Sequence, residues 1–233
     1  MLVGFLKKIY QTYFLEKIND ITAKQHDILA MQYLTPLSIN YLPWSESAIR
    51  PSGLVAILNE ISFKSYSTVV ELGGGISTFY ISRLLKKQGG RLLVFEHDEQ
   101  WANILIKNLS EQNLLEVVSV VIAPLSKIEL DNYVGDWYDL EIVKKKLEGT
   151  CVDLVLVDGP PAYTQKIAKS RYPAAIILRE YLSLDYTIVL DDINREGEQY
   201  IVKMWEKFLG IKFEIRLVNG GIAIGRSRSG LTV

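Results

Sequence analysis

The sequence predicts an α/β protein in which a mostly parallel sheet of seven strands ends in an antiparallel C-terminal hairpin and follows a helical N-terminal extension. Three observations support this prediction. Residues 1–66 have a mostly helical pattern. From Thr68 onward, short β-rich runs alternate with helical stretches, the pattern that βαβ units give in a parallel sheet. Near the end, Asn219-Gly220-Gly221 separates two apolar runs, which is typical of a hairpin turn.

We divide the chain into a helical extension, residues 1–66, and a sheet-forming domain, residues 67–233. The extension begins with apolar side chains near helical spacing: Leu2, Phe5, Leu6, Ile9, Tyr13 and Phe14. Such a stripe most simply packs a helix on its own domain. A cap over the functional site, a membrane-surface helix and a helix that joins two copies in a homodimer remain open. Arg50-Pro51-Ser52 then predicts the start of a second helix, which continues to about Ile61.

The alternating part of the chain predicts its elements in order. The strands are expected at Thr68–Leu72, Arg91–Glu96, Val117–Ile122, Val152–Asp158, Tyr186–Asp191, Lys212–Val218 and Ile222–Gly225. The helices between them are expected at Thr78–Lys87, Glu99–Leu109, Ile167–Tyr181 and Glu196–Leu209.

Composition excludes several classes of protein. With 26 basic and 27 acidic residues in 233, the chain has no net basic field to hold a phosphate backbone, so we expect no nucleic-acid partner. Cys151 is the only cysteine, which excludes an internal disulfide and fits a reducing cytoplasm. The longest uncharged stretch contains prolines and polar residues, so we expect no transmembrane segment. The N-terminus lacks the pattern of a signal peptide.

The sharpest local feature is a glycine-rich loop between the first predicted strand and the helix that follows it. It runs from Val70 to Thr78 and contains Gly73, Gly74 and Gly75. Three glycines allow a tight turn and let a ligand approach the backbone closely. Ser77 or Thr78 can cap the following helix. Ligands of open parallel sheets bind at this position.

Two ligand classes compete for this loop. A dinucleotide needs a third glycine at the position of Thr78 and places a pyrophosphate at the helix N-terminus, close to the carboxylate of Glu71. S-adenosylmethionine has no phosphate but has an ammonium and a sulfonium group, which that carboxylate attracts. The charges therefore favour S-adenosylmethionine, and an NAD(P)-dependent oxidoreductase is the alternative. Glu96, at the end of the second strand, is placed to accept hydrogen bonds from ribose hydroxyls, and His97 follows it at the adenosine.

A second group of acidic residues follows two later strands. Asp158 ends the fourth predicted strand, and Asp191 and Asp192 end the fifth. The carboxyl ends of parallel strands meet at one crevice, so these side chains are expected to face each other. Acids that close together repel unless a cation or a proton lies among them. Oxygen ligands suit Mg²⁺, Mn²⁺ or Ca²⁺, so Asp158, Asp191 and Asp192 are candidate ligands of a divalent cation.

The loop Val-Val-Glu-Leu-Gly-Gly-Gly-Ile-Ser-Thr and the later run Phe-Glu-His-Asp-Glu-Gln-Trp (95–101) resemble class I S-adenosylmethionine-dependent methyltransferases. The likeness is to a bacterial subgroup with an E-L-G-x-G-x-S-T loop and an E-H-D-x-x-W motif, and it covers about Pro43 to Gly225. It implies a Rossmann-like fold. It also implies that the loop holds the methionine end of the cofactor and Glu96 the ribose. The loop residues concerned are Glu71, Gly73, Gly74, Gly75, Ser77 and Thr78. Ser77 stands where many relatives have a glycine.

The acidic group is also similar to that of metal-dependent catechol-type O-methyltransferases, where acids after the same two strands bind a divalent ion. Two departures are an Asp-Asp pair in place of an acid–amide pair and a Gly-Pro-Pro run in place of a lysine. We expect Asp158 and Asp191 to be catalytic, with Asp158 orienting or deprotonating an acceptor hydroxyl. The expected function is O-methylation of a small molecule or a sugar hydroxyl. This rests on the acidic group and on the absence, after the fourth strand, of the Asn-Pro-Pro-Tyr or Asp-Pro-Pro-Tyr motif of N-methylation. A methyltransferase-like protein that binds without catalysis is the further alternative.

Several aromatic and basic residues lie in the predicted loops. Trp137, Tyr138, Tyr163 and Arg171 are of the types that shape substrate pockets. For any single one of them, surface packing or charge pairing is the simpler interpretation.

Overall fold

The computed structural model describes residues 2–38, 42, 44, 45 and 47–228. The helices are α1 (Leu2–Leu34), α2 (Pro51–Lys64), α3 (Ile76–Gln88), α4 (Glu99–Glu111), α5 (Leu140–Leu147), α6 (Pro173–Leu178) and α7 (Glu196–Leu209). The strands are β1 (Thr68–Leu72), β2 (Arg91–Glu96), β3 (Val118–Ile122), β4 (Leu125–Leu130), β5 (Tyr133–Tyr138), β6 (Val152–Val157), β7 (Leu182–Leu190), β8 (Phe213–Arg216) and β9 (Ile222–Arg226). Among these residues, no helix combines the length and apolarity that crossing a bilayer requires.

The main sheet confirms the predicted architecture. Seven strands lie in the order β3-β2-β1-β6-β7-β9-β8. The first five are parallel, whereas β9 is antiparallel to both β7 and β8. The order reverses at β1, which has β2 on one side and β6 on the other. Leu72 at the end of β1 pairs with Phe95 and with Val157, so the carboxyl ends of all three strands lie level. Loops after these strands therefore meet in one place.

Helices cover both faces of this sheet. On one face, α2, α3 and α4 pack on a core that contains Ile57, Ile81 and Leu105. On the other, α5, α6 and α7 cover a core that contains Trp137 and Trp205. The inner strands β1 and β6 are buried on both sides, which is why most of their residues are apolar.

Several details differ from the sequence prediction. The long connection after β3 contains a two-stranded hairpin, β4–β5, most of whose residues are exposed or partly buried, so its strands do not form an apolar run. The helix expected at Ile167–Tyr181 is broken. Its regular part starts at Pro173, whose missing N–H and fixed φ suit the first helical position. Strand β7 begins four residues before Tyr186, at Leu182.

The N-terminal extension contacts the sheet-forming domain through α2. This helix begins at Pro51 as predicted but runs past Ile61 to Lys64. Asp27 of α1 accepts hydrogen bonds from the backbone N–H of Ser52 and from Arg50 Nε (2.9 Å), so it satisfies a free donor in the first turn of α2. The packing prediction for α1 rested on Leu2, Phe5, Leu6, Ile9, Tyr13 and Phe14, of which the first five have side chains outside the described residues; Phe14 is exposed.

Candidate active site

A cleft of about 690 Å³ lies at the carboxyl ends of β1, β2, β6 and β7. It is lined by the glycine loop, by the ends of β2 and β6, and by the segment before α2. The residues that line it include Gly73, Gly74, Gly75, Ser77, Glu96, His97, Trp101, Tyr138, Asp158, Gly159, Tyr163, Arg171, Asp192 and Arg195. Ser45, Ser47, Ala48 and Ile49 form the part contributed by the extension. The position is the one at which open α/β sheets bind ligands.

The structure shows a different environment at each of the three glycines of the loop. Gly73 has a φ of +86°, and a Cβ there would lie 2.9 Å from the backbone nitrogen of Gly159. A Cβ on Gly74 would lie 2.5 Å from Leu105 and 2.9 Å from Val94. A Cβ on Gly75 would meet nothing within 4 Å. The backbone at Gly75 therefore borders open space, into which a ligand can approach the N-terminus of α3.

Glu71 lies beneath the loop, fully buried and outside the cleft lining. Its carboxylate accepts hydrogen bonds from Ser77 Oγ and from Thr78 Oγ1 (2.6 Å). Thr78 Oγ1 also accepts from the backbone N–H of Gly75 (3.0 Å), so Thr78, rather than Ser77, satisfies a donor at the start of α3. Burial raises the pKa of Glu71 to about 8, the two hydroxyl hydrogen bonds oppose this, and the charge of Asp158 adds to it.

Glu96 is fixed at the edge of the cleft by hydrogen bonds to both carboxylate oxygens. Oε2 accepts from the backbone N–H of Gly74 (3.1 Å), and Oε1 accepts from the backbone N–H groups of His97 (2.7 Å) and Asp98 (2.9 Å). His97 Nδ1 lies 2.8 Å from Oε1. Burial alone would raise the pKa of Glu96, but the hydrogen bonds from His97, Asp98 and Gly74 lower it, so the group stays ionised. The hydrogen bond to Glu96 raises the pKa of His97.

Trp101 connects the second motif to the loop. Its indole Nε1 donates to the backbone oxygen of Gly74 (2.7 Å), while its ring is partly exposed in the cleft wall. The run from Glu96 to Trp101 therefore binds Gly74 from two directions, at its N–H and at its C=O.

The three aspartates of the acidic group lie together, as expected from the sheet. One carboxylate oxygen from each of Asp158, Asp191 and Asp192 lies within 4.8 Å of the others. Asp158 and Asp192 line the cleft, whereas Asp191 is buried behind them. Burial raises the pKa of Asp158 to about 6, against the opposing charge of Arg171. Burial and the charge of Asp158 raise the pKa of Asp191 well above its usual range. The spacing alone is compatible with the predicted divalent cation, which stays a prediction.

Arg171 was expected as a candidate pocket residue, but its pairing with the acidic group, and the presence of Arg195 there, were not. Arg171 Nη1 lies 2.9 Å from Asp192 Oδ2, and Arg171 Nη2 lies 3.4 Å from Asp158 Oδ1. Arg195 Nη1 also contacts Asp192 Oδ2, at 2.8 Å. Glu198 is a fourth carboxylate, 3.6 Å from Arg171 Nη1. The spacing of Asp192, Arg195 and Glu198 by three residues is a sequence signal for one face at a helix start, whereas Arg171 lies too far along the chain from its partners to be found that way.

Tyr138, at the end of β5, was expected from the sequence as one of several candidate pocket residues. Its side chain is fully buried, and its hydroxyl has no hydrogen-bond partner within the described residues. The hydroxyl occupies the space that a Cβ on Gly159 would need, and the ring of Tyr138 contacts the ring of His97 at the cleft. Burial raises the pKa of Tyr138 well above 10, so the hydroxyl stays neutral and can donate. A buried, unpaired hydroxyl beside a cleft marks a place where a ligand could supply the partner.

The chain belongs to a methyltransferase-domain family. The family model matches residues 70–193, which is more than half of the chain and includes the glycine loop and all three aspartates. A search of curated protein sequences finds no match.

Solved structures of methyltransferases share the fold at low sequence identity. The O-methyltransferase TomG from Streptomyces achromogenes, in complex with SAM, is 15% identical with a TM-score of 0.54, over 86% of this chain and 88% of that one. An O-methyltransferase from Bacillus cereus, in complex with S-adenosylhomocysteine (SAH), is 16% identical with a TM-score of 0.52, over 89% and 91%. PaMTH1 from Podospora anserina, bound to SAH, is 11% identical with a TM-score of 0.58, over 94% and 96%.

Proposed function

We propose that this chain is an S-adenosylmethionine-dependent methyltransferase that methylates an oxygen of a small molecule or of a sugar unit. The observation that supports S-adenosylmethionine as the methyl donor is the cleft between Gly75 and Glu96. There an open glycine backbone faces a carboxylate that its hydrogen bonds keep ionised. An ionised acid that faces the cleft suits two ribose hydroxyls, and the family membership points to the same donor.

Within this proposal, the predicted cofactor residues have two kinds of role. Gly73, Gly74, Gly75, Ser77, Glu96 and His97 line the cleft and would contact the cofactor. Glu71 and Thr78 lie behind the loop, so their role is to fix its shape, and Glu71 would in addition become a negative charge beneath the loop when a positively charged cofactor binds. Bound S-adenosylmethionine would supply a methyl group on a positively charged sulfur, and transfer of that methyl leaves SAH.

Asp158 is the residue that we propose as the base. It lines the cleft on the side away from Glu96, and Arg171 supports its negative charge. A carboxylate with a pKa of about 6 is ionised at neutral pH and can take the proton of an acceptor hydroxyl as the oxygen–methyl bond forms. Asp191, buried behind Asp158, would act through it by holding its position. Positioning and exclusion of water supply the rest of the rate.

A transfer assay tests the acceptor class. The protein is incubated with donor labelled in the methyl group and with separate panels of hydroxyl and amine acceptors. We expect label in a hydroxyl acceptor, and a loss of roughly 10²–10⁴-fold in Asp158→Asn with SAH binding retained. Label in amine acceptors alone would contradict O-methylation. SAH binding without transfer to any panel would favour a methyltransferase-like binding protein.

The alternative of an NAD(P)-dependent oxidoreductase is weaker. No Lys or Arg occurs between Glu71 and Ser82, so the loop offers a pyrophosphate no cation of its own. Thr78 packs its hydroxyl against Glu71 where a dinucleotide loop has glycine.

We propose three further properties. The first is that the acceptor is a small molecule or a glycan, the second that the protein works in the cytoplasm, and the third that two copies form a homodimer through α1. The third is supported by exposed apolar side chains along that helix: Phe14, Ile18, Ile21 and Ile28. We likewise propose the division into an extension (1–66) and a methyltransferase domain (67–233). Helix α2 of the extension shares a core with the sheet of the domain.

A further inference from the structure

The acidic group at the acceptor side of the cleft already contains a cation. Arg171 is 4% exposed and lies with its guanidinium among Asp158, Asp192 and Glu198. A guanidinium is always protonated in a protein, so its charge is a permanent part of the group.

Hydrogen bonds fix the orientation of this guanidinium. Nε donates to the backbone oxygen of Pro160 (3.3 Å), and Nη1 donates to Asp192 Oδ2 (2.9 Å) and to the backbone oxygen of Asp191 (3.4 Å). Nη2 donates to Asp158 Oδ1 (3.4 Å). Every nitrogen of the planar fork thus has a partner. Turning Arg171 out of the group would take this cation away from Asp158 and would leave the fully buried Glu198 with Arg195, at 3.8 Å, as its remaining cation within the described residues.

The same contacts would compete with a metal ion for the carboxylate oxygens of the acidic group. A divalent cation needs carboxylate oxygens at about 2.0–2.6 Å and prefers several of them. Arg171 already engages one oxygen of Asp158 and one of Asp192, and Arg195 engages the same oxygen of Asp192. An ion held by these two aspartates would lie beside two like charges, one of them buried where screening by water is weak.

We propose that Arg171 is the resident cation of this acidic group and that the acceptor side of the cleft needs no divalent ion. This assignment rests on the proposed methyltransferase function, and it defines the molecule that receives the methyl group. The carboxylates of Asp158 and Asp192 can accept hydrogen bonds from that molecule, so it presents a hydrogen-bond donor such as a single hydroxyl group. It does not need the pair of adjacent oxygens that chelation of a metal requires.

Manganese binding to the wild-type chain is the first test. Metal-stripped protein is titrated with MnCl₂, and free Mn²⁺ is followed by electron paramagnetic resonance. We expect no stoichiometric binding at millimolar metal, and the same curve for Asp192→Asn. One Mn²⁺ bound per chain in the wild type and lost in Asp192→Asn would overturn the proposal.

Removal of the guanidinium is the second test. Arg171→Met leaves the carboxylates of Asp158, Asp192 and Glu198 around the vacated position, so this variant is expected to bind one Mn²⁺ per chain and to gain thermal stability from it. Arg195→Met is the matched control: Arg195 contacts the same Asp192 but is 43% exposed in its side chain, and Arg171 remains, so no such gain is expected. Equal Mn²⁺ binding in Arg171→Met and in the wild type would also contradict the proposal. If Arg171→Met does not fold, the wild-type titration decides.

Titration of the same wild-type sample with SAH separates this proposal from the proposed function. Absence of SAH binding would remove the methyltransferase assignment. It would leave the manganese result, and with it the assignment of Arg171, unaffected.

Discussion

At the scale of single residues, Tyr138 combines features that stability alone does not explain. Its hydroxyl is fully buried and unpaired within the described residues, although its side chain lines the cleft and the charges of Glu96 and Asp158 act on it. Leaving a buried hydroxyl without a partner costs about 1–3 kcal/mol. Proteins tolerate such costs at functional sites, where a ligand supplies the missing partner.

Tyr138→Phe is therefore expected to have opposite effects on folding and on binding. Without ligand, the free energy of unfolding should be unchanged or higher by about 1 kcal/mol, because an unpaired polar group has been removed. SAH binding should weaken by about fivefold, as expected for one lost hydrogen bond of about 1 kcal/mol. Urea unfolding and calorimetry measure the two quantities. Tyr133→Phe is the control, since its hydroxyl donates to the backbone of Asp136 in the same hairpin. Unchanged SAH affinity in Tyr138→Phe would show that the hydroxyl does not contact the cofactor.

The raised pKa of Glu71 predicts how cofactor binding depends on pH. With a pKa of about 8, raised mainly by burial, its carboxyl is mostly protonated at pH 7 in the free protein. A cofactor with a positive ammonium group favours the ionised form, so binding should release a proton, and SAH affinity should rise between pH 6 and 8. Calorimetry in buffers of different ionisation enthalpy measures the proton release at pH 7. Glu71→Gln should bind without that release, and a wild type that takes up a proton would contradict this account.

At the scale of elements, two adjacent glycines of the loop are expected to have different roles: Gly74 in folding, and Gly75 in cofactor binding. Gly74→Ala places a methyl group against Leu105 and Val94, and such overpacking costs about 1–3 kcal/mol of folding stability. Gly75→Val should leave thermal stability close to that of the wild type, because Gly75 has an extended φ of −163° and open space around its Cβ position. It should abolish SAH binding, because the side chain would occupy the cleft. Retained SAH affinity in Gly75→Val would mean that the cofactor does not approach this loop.

The elements also show which parts of the structure the sequence can predict. Strands β1, β2, β6 and β7 were predictable because buried parallel strands are apolar runs, and the glycine loop was predictable because its residues act on their immediate neighbours. The β4–β5 hairpin was missed because its alternation is weak and polar on one side. The position of Arg171 could not be predicted, since its ion pairs join residues 13 and 21 positions away along the chain.

At the scale of the whole molecule, ion pairs join the helical extension to the far end of the sheet. Arg226 of β9 donates to Glu60 of α2 from Nη2 (2.6 Å) and Nε, and both side chains are largely buried. Glu214 of β8 accepts a third hydrogen bond from Arg226 (2.9 Å). These contacts raise the pKa of Arg226 and hold α2 against the C-terminal hairpin.

Glu60→Gln should destabilise the whole fold, by about 3 kcal/mol, because it leaves a buried guanidinium with one charged partner fewer. The midpoint of urea unfolding should fall with an unchanged denaturant slope. Lys24→Met is the control, because its ion pair with Asp20 is exposed and is expected to contribute about 0–1 kcal/mol. A loss in Glu60→Gln no larger than in the control would show that the extension is held by apolar packing alone.

Calorimetric titration of the wild-type protein with SAH and, separately, with NADH distinguishes a methyl-donor cleft from a dinucleotide cleft. We expect one SAH bound per chain and no NADH binding, because the loop offers acids and open glycine backbone in place of a phosphate site. NADH binding without SAH binding would contradict the assignment of Gly75 and Glu96 to a methyl-donor cleft.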